Sequence, residues 1–482
     1  MRSGKACIAA IFGWVAGLAL VAAPVLAQTA TPAPAHLPPG PCAPVSSLIS
    51  AGNLAWIDHD DSGAAADFNR AIAGSPRCGA GWIRRAEFRY DTFDYDEALA
   101  DAKVAVTMAP RDGEAYAILG EAEMRQWEET PAANADPGGS RDKRAVAAIA
   151  DLSRAIDLGL KDSHILLLRA KAYDLTQDDD RAIADCDSAM ALVPGNIDAL
   201  VMRGYLWSGK GDDAQALADF ARVRAIDPSN NDGYVGAAEV DDAKGEIDAA
   251  IAILSEGIAR PGHGRNLYSR RASLYERKGD FTKAIADWTS DIAEDRFPER
   301  GYMRRAAVYA HAGDFDHALA DAGTAIQMDP KDGEAYLSRG EIEIQAGKTD
   351  AASQDFDRAR ALEPDRSMWI AYAACWARAN AGVDLDKALA DCTLAIAQGP
   401  THLGGLVGRG LVHFRLGQYD AAIADYTAAL TSQPKFASSL FGRALAEQKK
   451  GMTAEAKADL AAARALDATI DQRFKAYGLT AD

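Results

Sequence analysis

Between Asp198 and Pro228 the chain reads DALVMRGYLWSGKGDDAQALADFARVRAIDP, and apolar or small residues recur at three- and four-residue steps on either side of a polar break. Leu200, Gly204 and Trp207 form the first series; Ala216, Phe220 and Val223 form the second, after the GKGDD turn. This period predicts two short amphipathic helices, A and B, folded back on one another. Gly204 and Ala216 fall where the helices cross, so the backbones can approach while Trp207 and Phe220 pack around them. Pro228 closes the unit. Neither helix can bury its apolar face within one hairpin, so each hairpin needs another stacked on it and the chain must build a solenoid.

The same series returns along the chain. Trp82, Ala86 and Ala98 precede Pro110; Leu166, Ala170, Tyr173, Ala182 and Ala189 precede Pro194. Tyr302, Ala306, Tyr309, Ala318 and Ala325 precede Pro330, and Leu406, Gly410, Ala422, Tyr426 and Ala429 precede Pro434. In this the chain resembles the tetratricopeptide repeat, a unit of about 34 residues with a large residue, then Gly or Ala, then an aromatic in helix A, and Ala, an aromatic and Ala in helix B before Pro. The resemblance covers 45–468, with repeats starting near 45, 79, 113, 163, 197, 231, 265, 299, 333, 367, 403 and 437. It implies an all-α fold, a right-handed superhelical solenoid of about twelve helix-turn-helix units, that binds proteins or peptides along a concave groove lined by helices A.

Some repeats depart from the pattern. Repeat one has Ala55 in place of the aromatic. Repeat three interposes 125–143, whose breaker-rich EETPAANADPGGSRD reads as a loop and is either a contact site or a tolerated insertion. Repeat six is worn: Ile253 and Gly257 replace an acid and an alanine, and Pro261-Gly262 ends it early. Repeat seven has Asp291 where Ala is usual, and repeat ten gains two residues in its turn, within 380–384. The final stretch, 469–482, offers Ile470, Phe474 and Tyr477 at helical spacing and should cap the last hairpin.

A charge pattern runs through the same frame. Arg85, Arg169, Arg203, Arg271, Arg305, Arg339, Arg409 and Arg443 precede the small helix A residue, and Asp101, Asp185, Asp219, Asp287, Asp321, Asp355, Asp425 and Asp459 precede the large helix B residue. Hairpin pairing should bring each Arg to its Asp. The partnered acids argue against a basic ladder for anionic ligands.

The flanks and the cysteines point to a compartment. Arg2 and Lys5, an apolar run from about Ala6 to Ala23, and Val25-Leu26-Ala27 make 1–27 a signal peptide cleaved before Gln28, with an uncleaved inner-membrane anchor as the alternative. Residues 28–44 are a Pro-rich disordered linker. Export, to the periplasm in a bacterium, permits disulfides. Cys42 and Cys78 flank the first hairpin and should meet; Cys186 and Cys392 sit at large helix B positions where cysteine serves as a small hydrophobe, and the pairing of Cys186, Cys375 and Cys392 stays open. A net charge of -18 leaves no basic excess for nucleic acid.

Chemistry has no recognisable seat. Gly204 to Lys210 mimics a phosphate-binding loop, but Gly211 stands where Ser or Thr should hold magnesium. Asp58-x-Asp60-x-Ser62-Gly63 begins like a calcium loop, but Asn69 replaces the bidentate Glu. The eight histidines form no metal-binding pair, so no catalytic residue, metal or cofactor is expected. Projecting the groove register implied by the resemblance gives Tyr205, Met303, Leu337, Ile344, Val407, Leu411, Phe414, Phe441 and Leu445 as an apolar peptide-binding strip, unless these residues pack against neighbouring helices A. Arg84, Glu87, Glu121, Lys171 and Glu239 make a more charged lining in the N-terminal half. The expected function is a non-catalytic adaptor in the cell envelope; the alternative is a fixed component of an envelope assembly or polysaccharide-export machine.

Overall fold

A computed structural model describes residues 42–129, 140–260, 266–397 and 403–481. The signal segment, nearly all of the linker and the middle of the repeat-three insertion lie outside these residues. Among those described there are 25 α-helices and no strand, and within each of the chain's two bodies successive helices pack as antiparallel neighbours. The chain divides into two compact bodies within helix B of repeat six, Ile247–Ile258, the repeat whose sequence is worn.

Repeat five shows how the sequence makes a hairpin. Asn196 caps helix A, Ile197–Lys210, by accepting from the Ala199 amide at 3.0 Å. Gly211 ends it in the left-handed region (φ 81°), which a residue with a Cβ enters at a cost. Asp212 then caps helix B, Asp213–Ile226, accepting from the Gln215 amide at 3.2 Å. Phe220 of helix B is fully buried between Gly204 of its own helix A and Gly236 of repeat six. A Cβ on Gly204 would stand 2.9 Å from the ring, and one on Gly236 would stand 2.3 Å from it. Tyr426 sits in the same way between Gly410 and Gly442 in the C-terminal body. Glycine at these crossings is therefore a matter of space for an aromatic ring.

All eight Arg–Asp pairs form, each bidentate. Arg203 donates to Asp219 at 2.8 and 2.6 Å, and Arg305 to Asp321 at 2.7 and 2.8 Å. The third guanidinium nitrogen, Nη1, does work that spacing did not reveal. In six of the eight arginines it donates to the helix B residue sixteen positions earlier, as Arg203 does to Asp187, Arg169 to Ser153 and Arg271 to Ser255. Each such arginine ties its own helix B to that of the preceding repeat.

Two repeats differ from their expected form. In repeat three the helices extend to Gly113–Glu129 and Ser140–Asp157, so both ends of the presumed loop are helical and only 130–139 fall outside the described residues. The helix-favouring run up to Glu129 continues helix A until Pro131 forbids it. In repeat ten Cys375 and Cys392 form a disulfide between helix A, Ser367–Ala381, and helix B, Leu385–Ala397, so Cys392 is not merely a small hydrophobe. Buried Arg378 takes over the missing arginine's place, donating to Asp391 and, at 2.9 Å, to Ser353 of the preceding helix B. A second disulfide joins Cys42 to Cys78, and Cys186 is free and buried, its thiol pushed up to about 12 by burial.

Candidate peptide-binding groove

Helices A of repeats ten, eleven and twelve, Ser367–Ala381, Leu403–Arg415 and Ala437–Lys449, place Tyr372, Trp376, Val407, Leu411 and Ser438 around one cleft of about 260 Å³. Arg473, Phe474 and Tyr477, from the capping helix Ile470–Ala476 and the residue after it, close its other side. The lining is mainly aromatic and aliphatic, which suits apolar side chains, and Arg473 and Ser438 supply polar atoms at the rim. Burial raises the Tyr372 phenol above its ordinary range, so it stays a neutral hydrogen-bonding group at any physiological pH.

The projected strip divides when its residues are placed. Tyr205, Met303 and Phe414 are half-buried. Leu337, Ile344, Val407, Leu411, Phe441 and Leu445 are 0–3% exposed, which removes them as a continuous open surface. Leu337 and Ile344 pack with Phe356 of their own hairpin and Ile370 of the next; Phe441 lies against Phe474 with ring centroids 4.5 Å apart. The register identified the face each residue occupies. The burial of these six favours the alternative that neighbouring helices pack over them; the register gave no sign that the segment after the last repeat also covers that face. Tyr372, Trp376 and Ser438, which the strip omitted, reach the cleft; the helical step from Tyr372 to Trp376 was the available signal.

The N-terminal body carries a different inner face. Arg84 donates to Glu87 at 2.6 Å and to Glu114 at 2.9 Å, and His164 meets Glu121 at 3.0 Å. Burial, aided by the neighbouring carboxylates, lifts Glu87 to about 7, and burial with Glu121 beside it lifts Asp91 to about 6. The bond to Glu121 raises His164.

The two lures in the sequence dissolve into ordinary local structure. Gly204–Lys210 is helical, and Asp60 caps helix Asp61–Gly74 by accepting from the Gly63 amide and the Ser62 hydroxyl, both at 2.9 Å. Among the described residues no cluster of three potential metal ligands occurs, and no helix is long and apolar enough to cross a membrane.

Two family models, both described as tetratricopeptide repeat, match the chain: one at 309–375, the other at 269–333 and 407–472. No curated protein matches it. Among solved structures, yeast Tom70 is similar over 90% of this chain and 94% of its own, at 15% identity and a TM-score of 0.42. A tetratricopeptide repeat protein from Parabacteroides merdae is similar over 55% of this chain and 98% of its own, at 18% identity and a TM-score of 0.40. YrrB, described as a TPR protein with an unusual peptide-binding site, is similar over 44% of this chain and 97% of its own, at 17% identity and a TM-score of 0.35.

Proposed function

We propose that this helical-repeat scaffold is an exported, non-catalytic adaptor that binds extended segments of other proteins on the inner face of repeats ten to twelve. The observation that carries this reading is the cleft itself, a mainly apolar hollow whose wall is built by Tyr372, Trp376, Val407 and Leu411 from helices A of two successive repeats. Two disulfides, Cys42–Cys78 in the N-terminal body and Cys375–Cys392 in the C-terminal body, support an oxidising compartment such as the periplasm, reached by the signal segment 1–27. The net charge of -18 disfavours nucleic acid and anionic membrane surfaces as partners.

A photoreactive residue at position 438, on the cleft wall, tests the reading in intact cells. Crosslinks to extended segments of several proteins are expected. The second reading, a fixed part of an envelope assembly, predicts silence at 438 and one dominant partner captured from position 134 within the insertion. Fractionation places the protein: the adaptor reading requires periplasmic material whose N-terminus is Gln28, and a full-length membrane-bound form would establish the inner-membrane anchor instead.

A further inference from the structure

Past the capping helix the chain turns back onto the molecule. Gly478 takes the left-handed conformation (φ 74°) and its amide donates to the Lys475 carbonyl at 2.9 Å, while the Leu479 amide donates to the Phe474 carbonyl at 3.0 Å. Tyr477 and Gly478 form this turn, and after it Leu479 and Ala481 are half-buried while Thr480 is exposed. Leu479 packs against two clusters at once: one holds Phe441 and Leu445 of repeat twelve, the other Cys375 of repeat ten and Leu411 of repeat eleven. Arg415, at the end of helix A of repeat eleven, donates through Nη2 to the Tyr477 carbonyl at 2.6 Å and to the Asn380 carbonyl of repeat ten at 2.8 Å. A capping helix needs to cover only the last hairpin. This segment reaches back across three.

These contacts are of the kind a groove makes with a bound peptide: a main-chain carbonyl held by a fixed donor, and apolar side chains seated against helices of successive repeats. We propose that Tyr477–Ala481 is an internal ligand of the cleft, and that a partner enters by displacing it. This rests on the peptide-binding reading above and specifies its ligand: a short segment carrying an aromatic, an aliphatic and a small side chain, all three uncharged. A tethered segment competes at an effective concentration on the order of millimolar. If the free segment binds with a Kd of about 0.1 mM, the tether weakens a partner's affinity on the order of tenfold.

The test uses a fluorescein-labelled synthetic peptide of residues 476–481, AYGLTA, and two proteins besides the wild type. One ends at Ala476, which keeps the capping helix; the other is full-length with Leu479→Asp. Both variants should bind the peptide about tenfold or more tightly than the wild type does, in fluorescence anisotropy. Equal binding by all three, or none, with circular dichroism showing each folded, would overturn the proposal. A random peptide library separates that failure from failure of the adaptor reading: peptides selected equally by wild type and variants leave the reading standing and remove the internal ligand, whereas no selection by any protein removes both. If truncation unfolds the last repeat, Leu479→Asp carries the test, and unfolding of both variants makes the segment a structural cap and ends the proposal.

Discussion

Helices A of repeats two to four and of repeats ten to twelve hold equivalent places in their hairpins, yet their inner faces are built from opposite materials. The first set presents Arg84, Glu87, Asp91, Glu121 and His164; the second presents Trp376, Val407, Leu411 and Phe441, with Arg415 at its edge. The charged face keeps His164 exposed and Glu121 partly so, and its groups pair with one another. The apolar face is covered by the chain's own Phe474, Tyr477 and Leu479. Water decides the difference: leaving apolar surface exposed costs about 25 cal/mol per Å², whereas covering a charge costs more than it returns unless a partner waits for it. An inner face of the second kind is filled in the resting molecule, and a ligand must compete for it.

The largest expected effect tests whether the covered face is core. Phe441→Ala removes a fully buried ring from contact with Phe474 and should cost about 3–5 kcal/mol in urea denaturation of the C-terminal body. Phe414→Ala, at a half-buried site, should cost clearly less. Equal and small losses would return Phe441 to the open strip.

The two disulfides should come next. Cys375→Ala with Cys392→Ala opens a link across 17 residues, and Cys42→Ala with Cys78→Ala opens one across 36. Loop entropy alone puts these near 3 and 4 kcal/mol at most, the longer loop giving the larger loss. Each loss should be confined to its own body, as limited proteolysis would show. A global collapse from either pair would mean that the two bodies unfold together.

What the sequence revealed and what it concealed follow from distance along the chain. The hairpins and the Arg–Asp pairs were legible because both partners lie within one unit at a constant spacing of 16 residues. The Cys375–Cys392 pair, 17 apart across a lengthened turn, carried nearly the same signal. The cover over Leu411 and Phe441 was not legible, because it depends on Leu479 arriving from beyond the last repeat, and no periodicity encodes that contact. The displaced Arg378 was hidden because it reaches Asp391 across 13 residues instead of 16, so the constant spacing that marks the other pairs passes it by.

A smaller effect should appear with pH. Glu87 titrates near 7 in the fold against an ordinary value of 4.5, so its contribution is favourable below about 4.5 and is lost as pH rises toward 7. His164, raised above 6.5, has the same sign: its bond to Glu121 contributes below 6.5 and is lost as pH rises through the folded value. Protection of 79–129 from hydrogen exchange, corrected for intrinsic rate, should therefore fall between pH 5 and 8. Glu87→Gln should match the wild type at pH 5 and exceed it at pH 8. The C-terminal body also titrates, through Glu447, lifted to about 7 by burial with Asp459 beside it, so the local readout is needed to assign the effect to the charged inner face.

The smallest effect serves as the control, because it removes a feature that both bodies share. Lys210 reaches Asp180 at 2.6 Å in the N-terminal body, and Lys450 reaches Asp420 in the C-terminal body, each pair 30 residues apart. Both acids are at least 84% exposed, so water and salt already screen the attraction, and holding a long lysine side chain in one place offsets much of the gain. Lys210→Met and Lys450→Met should each change stability by less than about 1 kcal/mol, and by the same amount within error. If the two differ while the exposed geometry is alike, the contrast between the bodies extends beyond their inner faces. If they agree, the contrast lies where the side chains of helices A turn inward, and the tail that covers one face is its direct consequence.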